Sequence, residues 1–287
     1  MSAWQSGTDI DLSGQVALVT GAGRGIGRAI AQALAEAGAA LMLVARTGDQ
    51  LEETLGLIAS AGGKAIAMPA DVTDEQAVRQ VVGETTRRLG PIDLLVANAG
   101  VSAPHQLFWE ADPADWWRAI EVNLKGVMLC AHAVLPDMIA RRRGRIITTG
   151  SYSGVKPNPT GLAYSVSKTA VLRFSEALAN ETRPYGVSVF SISPGLVHTA
   201  MTEEAWQARP PSERVVSIQP TANPTSDWSP PELAARLVVY LASGKADVLS
   251  GRFIHARADD VAEMTRRADE IACGDLYTLR IGKLSQS

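Results

Sequence analysis

Short apolar runs alternate with longer amphipathic segments along most of the 287-residue chain. Seven runs read as strands: 15–20 (QVALVT), 39–45 (AALMLVA), 65–70 (AIAMPA), 92–97 (IDLLVA), 145–150 (RIITTG), 186–193 (GVSVFSIS) and 251–256 (GRFIHA). Between them, apolar residues recur at helical spacing, as in GRAIAQALAEAG at 27–38. Gly38 stops that helix, and Gly62-Gly63 stops the next, at about 49–61. Thr73 and Gln76 have the spacing of a capping box for a third helix. Asp112-Pro113 opens a long fourth one, with proline at its first position, and Pro136 is expected to kink or divide it. A fifth covers LAYSVSKTAVLRFSEALANET, and Ser229 to Glu232 cap a sixth that ends near Ser243-Gly244.

The strands are continuous apolar runs rather than alternating ones, as expected of strands covered by helices on both faces. Strand–helix alternation of this kind predicts an α/β fold: a single-domain Rossmann fold with a doubly wound, seven-stranded parallel sheet. Its core spans about 12–255. Two segments stand outside the pattern. One is an insertion at about 196–228, rich in Pro, Thr, Ser and Trp, with the length of a lid. The other is a charged C-terminal extension, 257–287, expected to be helical around 259–272.

Composition narrows the function classes. A net charge of −3, with no long basic block, argues against nucleic acid as a partner. The densest basic cluster, RRRGR at 141–145, reads as the charged end of a helix. Two distant cysteines, Cys130 and Cys273, fit reduced thiols in a cytoplasmic protein. His105, His132, His198 and His255 have no metal-ligand spacing. The N-terminus lacks the features of a signal peptide, and no apolar run reaches about 18 residues without charges, so no membrane span is expected.

The chemistry starts at VTGAGRGIG. Gly21, Gly25 and Gly27 lie directly after the first strand and before a helix. Such glycines allow a tight turn and let a diphosphate approach the backbone, while the helix start offers free N–H groups. The motif points to a dinucleotide. At the end of the second strand NAD-binding chains need an acidic residue for the ribose 2′-hydroxyl. Here Ala45-Arg46 stands there, and Arg24 lies inside the glycine loop. Two guanidinium groups suit a 2′-phosphate, so NADP(H) is expected over NAD(H). Each arginine alone reads equally as a solvated surface charge. Asp71, at the end of the third strand, either accepts from the adenine amino group or caps the following turn.

With these residues on the page, the chain resembles the short-chain dehydrogenase/reductase family. The matching pieces are TGAGRGIG, Asp71-Val72, Asn98-Ala99-Gly100, Asn123, Ser151, Tyr164 to Lys168 (YSVSK) and Pro194 to Thr199 (PGLVHT), in family order across about 12–255. Three departures stand out: Ala97 opens the NNAG motif, TTGS replaces the common ISS, and HARADD replaces a glycine pair after the last strand.

The resemblance implies a catalytic set of Ser151, Tyr164, Lys168 and Asn123. Tyr164 would be the general acid/base for a ketone or aldehyde and its alcohol. Lys168, on the same helix face, would favour the phenolate and hold the nicotinamide ribose. Ser151 would donate to the substrate oxygen, and Asn123 would position a water of a proton relay behind Lys168. The cofactor would lie along Gly21, Arg24, Gly25, Ile26, Gly27, Arg46, Asp71, Val72 and Asn98 to Gly100. It would then pass Tyr164, Lys168, Pro194 and Gly195, with Thr199 and the backbone of Val197 at the carboxamide. The family also implies a homotetramer or homodimer.

Each of these residues has a plainer reading as cap, core amide or surface charge. A rival from another class is a protein on the same fold that senses NADP(H) without turnover. The expected substrate is a small carbonyl or alcohol. Phe108, Trp109, Tyr152, Trp206 and Trp228 either wall its pocket or anchor loops.

Overall fold

The structure is a computed structural model of the full chain. It describes residues 10–103, 106–156, 161–207 and 228–281, with the side chains of 204–207 outside that description. Within these residues, seven strands form one all-parallel sheet. They are β1 (Val16–Thr20), β2 (Ala40–Ala45), β3 (Lys64–Pro69), β4 (Leu94–Ala97), β5 (Gly144–Thr149), β6 (Val187–Ser193) and β7 (Phe253–His255). Their order is β3-β2-β1-β4-β5-β6-β7. The chain winds outward from β1 to one edge, then restarts at β4 toward the other. That reversal leaves a crevice between the C-terminal ends of β1 and β4, where ligands enter such sheets.

One face of the sheet is covered by α1 (Gly25–Glu36), α2 (Gly48–Ser60) and α8 (Pro231–Ala242). The other carries α3 (Glu75–Leu89), α5 (Gly126–Arg141) and α6 (Leu162–Thr182), with α4 (Pro113–Ile120) packed against α6. β1 and β4 are buried throughout, as double coverage requires, whereas β3 is only part-buried because it is an edge.

Three expectations are corrected. The third helix is capped by Asp74, whose Oδ1 accepts from the Gln76 and Ala77 amides. Thr73 is unavailable because its hydroxyl donates to Asp71 Oδ1 at 2.7 Å. The fourth helix is not divided at Pro136, which lies inside α5. A π-helical turn, Glu121–Lys125, separates α4 from α5 instead. Pro230 stands at the N-cap of α8 without a side-chain bond, and Ser229 Oγ is buried without a partner. The C-terminal extension is helical where expected, as two short helices, α9 (Val261–Arg266) and α10 (Ala268–Cys273). Asp112 caps α4 as expected, through the Ala114 amide.

The RRRGR cluster is structural. Arg141 pairs with Asp137 and the buried Asp93, Arg143 reaches Asp93, and Arg145 pairs with Asp247. The stretch 113–141 is long and apolar enough, by length and composition, to cross a membrane, but half of its apolar window is buried in the domain. Val127, Cys130, Ala131, Val134 and Met138 pack it against the sheet.

The insertion after β6 falls mainly on 208–227, outside the described residues. Its ends are drawn together: Leu196 bridges Trp228, and the Ser229 amide donates to the Leu196 carbonyl at 2.7 Å. α7 (Ala200–Gln207) forms its first part. The extension returns to the far edge of the sheet. There the Phe253 amide donates to the Tyr277 carbonyl at 2.9 Å and the His255 amide to Asp259 Oδ2 at 2.7 Å.

Candidate active site

A cleft of about 690 Å³ opens at the β1/β4 crevice. Gly21, Arg24, Gly25, Ile26 and Gly27 line one end, with Arg46 beside them. Asp71, Val72, Asn98, Ala99 and Gly100 line the middle. Ser151, Tyr164, Lys168, Pro194, Gly195, Val197 and Thr199 line the other end. Of the residues expected at the site, Asn123 alone lies beneath the cleft rather than on its wall, fully buried.

The glycine loop is shaped by its own carbonyls. Gly21 has φ +67°, which side chains rarely adopt, and a Cβ on Gly27 would run into the Gly21 carbonyl. The Gly23 carbonyl accepts from Arg28 Nη2 at 2.6 Å, and the Ala22 carbonyl from Thr54 Oγ1 at 3.1 Å. Arg28 is in turn held by both oxygens of Glu53. Sequence reading missed Arg28 and Thr54. Their signal was faint, since one looks like a surface cation and the other like a mid-helix threonine. Arg24 and Arg46 are both exposed at the cleft margin, and the end of β2 puts no carboxylate there.

Asn98 ties three strand ends together. Its amide nitrogen donates to the Thr20 carbonyl at 3.1 Å, its backbone N–H donates to Thr20 Oγ1 at 3.0 Å, and Oδ1 accepts from Thr149 Oγ1 at 3.2 Å. Asp71 takes the turn-capping role: Oδ1 accepts from the Thr73 amide and hydroxyl, and Oδ2 from Arg118 Nη2 at 3.3 Å. Burial raises its pKa, but these bonds outweigh it and hold the carboxyl below its usual range. Arg118, also on the cleft wall, was not anticipated.

Ser151 lies two residues beyond β5 in extended conformation, and its Oγ accepts from the Ser153 amide at 3.2 Å. It also hydrogen-bonds Tyr164. Burial raises the Tyr164 pKa, and the Ser151 bond opposes that only in part. The ordinary expectation of a lysine-lowered phenol is therefore not met by the protein groups alone. Lys168 Nζ stands 5.6 Å from the Tyr164 ring centre. Its side chain is buried, which lowers its pKa to about 8. A Cβ on Gly100 would stand 3.1 Å from Asn123 Oδ1 and 3.6 Å from Lys168 Nζ, so these groups converge. The Asn123 amide is fully engaged: Oδ1 accepts from the Val101 N–H, and Nδ2 donates to the Val101 carbonyl and to Ser167 Oγ.

The far end is stabilised by Thr202, another residue sequence reading missed. Its hydroxyl donates to the Val197 carbonyl at 3.0 Å and accepts from the Thr199 amide at 2.9 Å. Several of the aromatic side chains meet another ring. Tyr152 meets His255 edge-on, Trp228 meets His198, and Phe108 meets Trp116. Trp109 is largely exposed. Trp116 packs with Tyr164 on a small cluster of Ala103, Ala119 and Ala163. The expected walls at Pro104-His105, at 157–160 and at the Trp206 side chain lie outside the described residues. Among the described residues, no three His, Cys, Asp or Glu gather as metal ligands.

The family model described as short chain dehydrogenase matches residues 15–210. A short chain dehydrogenase of Pseudocercospora fijiensis is 33% identical over 95% of this chain and 91% of its own length. A structure of a candidate NAD(P)-dependent gluconate 5-dehydrogenase from Beutenbergia cavernae, with NADP at low occupancy, is 35% identical with a TM-score of 0.77. It covers 86% of this chain and 96% of that one. NAD+-bound xylitol dehydrogenase superposes with a TM-score of 0.77 at 28% identity, over 85% of this chain and 97% of that one.

Proposed function

The chain belongs to the short-chain dehydrogenase/reductase family, and from that premise we propose that it is an NADP(H)-dependent oxidoreductase interconverting a ketone or aldehyde and an alcohol. Action on an alcohol/carbonyl pair with NAD(P) is the family's own chemistry. The observation that carries the finer reading is the single cleft that Ser151, Tyr164 and Lys168 share with the glycine loop and two arginines.

The cleft suits a dinucleotide. Arg28 and Thr54 hold the loop carbonyls inward, away from a diphosphate. Arg24 and Arg46 would take the 2′-phosphate, and without a carboxylate at the end of β2 nothing there repels it. Both NAD and NADP occur among similar structures, so the arginines bear the weight of this preference. Asn98 to Gly100 would floor the middle of the cofactor, and Thr199 with Val197 would meet the carboxamide. When bound, the nicotinamide supplies or accepts hydride.

The protein supplies the proton. Tyr164, with its pKa raised by burial, is protonated at neutral pH and ready to donate to a developing alkoxide. Ser151 would donate to the same oxygen and hold the carbonyl in place. Lys168 brings positive charge close to the phenol as Tyr164 gives up its proton. Asn123 is a positioning residue, holding Val101 and Ser167 behind Lys168.

Turnover is favoured over sensing because a sensor has no use for a serine-bonded phenol beside a buried lysine. The substrate is a small carbonyl or alcohol. Cytoplasmic residence is consistent with two free thiols, one buried and one exposed. A homotetramer or homodimer is consistent with the exposed Met128, Leu162 and Val166 on α5 and α6. The test is purified protein with NADPH and a panel of ketones and aldehydes, followed by cofactor absorbance. Oxidation of NADPH with at least one carbonyl is expected; binding of NADPH with no turnover on any of them overturns the enzymatic reading.

A further inference from the structure

We infer that the chain carries a second small-molecule site, behind Ser151 and apart from the cofactor cleft, for a neutral, largely apolar molecule. A cavity of about 430 Å³ lies between α6, β7 and the C-terminal extension. That is the size of ordinary ligand sites. Val155, Leu172, Phe253 and Leu279 give it apolar walls.

Ser191 also lines it, but its Oγ is sealed from the cavity and lies against Gly150.

Both carboxylates at the cavity are engaged, and Arg252 also lines it. Glu176 binds Arg173 at 2.6 Å and Arg280 at 2.7 Å. Asp259 Oδ2 accepts from the His255 amide. An anion drawn to Arg252 would lie against two carboxylates and apolar walls, and a cation would compete with Arg280 for Glu176, so a neutral occupant fits best.

The chain makes the roof itself. Tyr277 is bonded to Phe253, the Leu279 carbonyl accepts from Arg173 at 2.6 Å, and Arg280 fastens the end to Glu176. What remains inside is space for a small molecule rather than for a segment of another chain.

The cavity touches the back of the active site. Gly150 lines the cofactor cleft, yet a Cβ on it would stand 2.6 Å from Ser191 Oγ, 2.8 Å from Leu172 and 3.1 Å from Phe253. The occupant would therefore press on the residue that precedes Ser151. This site makes no use of the cofactor cleft, so it does not depend on the reading given for that cleft.

The test is calorimetric titration of the full chain with 2-naphthol, with and without NADPH. Saturable binding that is the same in both conditions is expected. Leu172→Trp, which fills the cavity, should weaken it at least tenfold. Val155→Trp, at an exposed margin, should do the same without burdening the core. Absence of saturable binding overturns the proposal, as does displacement by NADPH. Undiminished binding in Val155→Trp also overturns it. So does a concentration-dependent dimer that Val155→Trp disrupts while 2-naphthol never binds, because the cavity then belongs to a second copy of the chain.

Discussion

Lys168 Nζ donates to the Thr149 carbonyl at 2.8 Å, tying the ammonium on α6 to the last residue of β5. That bond fixes a buried cation between α6, which carries Tyr164, and the strand end two residues before Ser151. Burial is what this cation has to overcome.

The cost should be visible as a pH effect. Lys168 has a folded pKa of about 8, against an ordinary 10.5. Between these values the unfolded chain holds the proton more tightly, so stability rises with pH across that window. Below about 8 both states are protonated and the contribution is constant. Lys168→Met should flatten the slope between pH 8 and 10.5, by an amount on the order of 3 kcal/mol. Urea melts of both proteins at several pH values check this. Parallel curves would show that the lysine is not desolvated.

Tyr164→Phe keeps the ring against Ala103, Ala119 and Ala163 and removes only the hydroxyl. NADPH binding should change little, while kcat falls by roughly 10²–10⁴-fold, the range for loss of a general acid. Fluorescence titration and steady-state kinetics separate the two effects. Retained turnover would rule out Tyr164 as the proton donor.

Arg46→Asp places a carboxylate at the cleft margin where the guanidinium stands. NADPH affinity should drop by roughly 10–100-fold, the scale of a charged hydrogen bond lost, and NADH affinity far less. Equal losses for both cofactors would show that Arg46 does not meet a 2′-phosphate.

Thr54→Val is nearly isosteric, yet it removes a hydroxyl that meets the Ala22, Gly23 and Gln50 carbonyls. We expect a loss of about 1–3 kcal/mol in stability and a weaker cofactor complex. Thermal melts and NADPH titration measure both. A lowered melting temperature with unchanged affinity would separate the loop's shape from its binding role.

Much of this architecture was legible in the chain. Seven apolar runs placed the strands to within one or two residues, because double coverage leaves few polar positions inside a strand. The glycines, Asn98 and Ser151 follow strand ends, and Tyr164 and Lys168 stand one turn apart on α6, so spacing along the sequence becomes proximity in space. Side-chain competition was not legible. Thr73 looked like a cap, but Asp71 takes its hydroxyl and leaves the position to Asp74. Pro136 suggests a kink or division, yet it lies inside α5, and the π-helical turn around Asn123 that separates α4 from α5 is announced by no residue type there. The Tyr164 pKa depends on how much water is excluded, which spacing alone does not give. Arg28, Thr54 and Thr202 act on backbone carbonyls, and such roles leave no periodic mark.

The C-terminal extension has a consequence for how the chain behaves in company. β7 is the last strand, and a bare edge is a template on which another chain can add a strand. Here the amides of Phe253 and His255 are taken by Tyr277 and Asp259. The extension thus works as a selvage, a finished border that keeps the fabric from taking on new threads. Trimmed of it, the same sheet would be an invitation to aggregate.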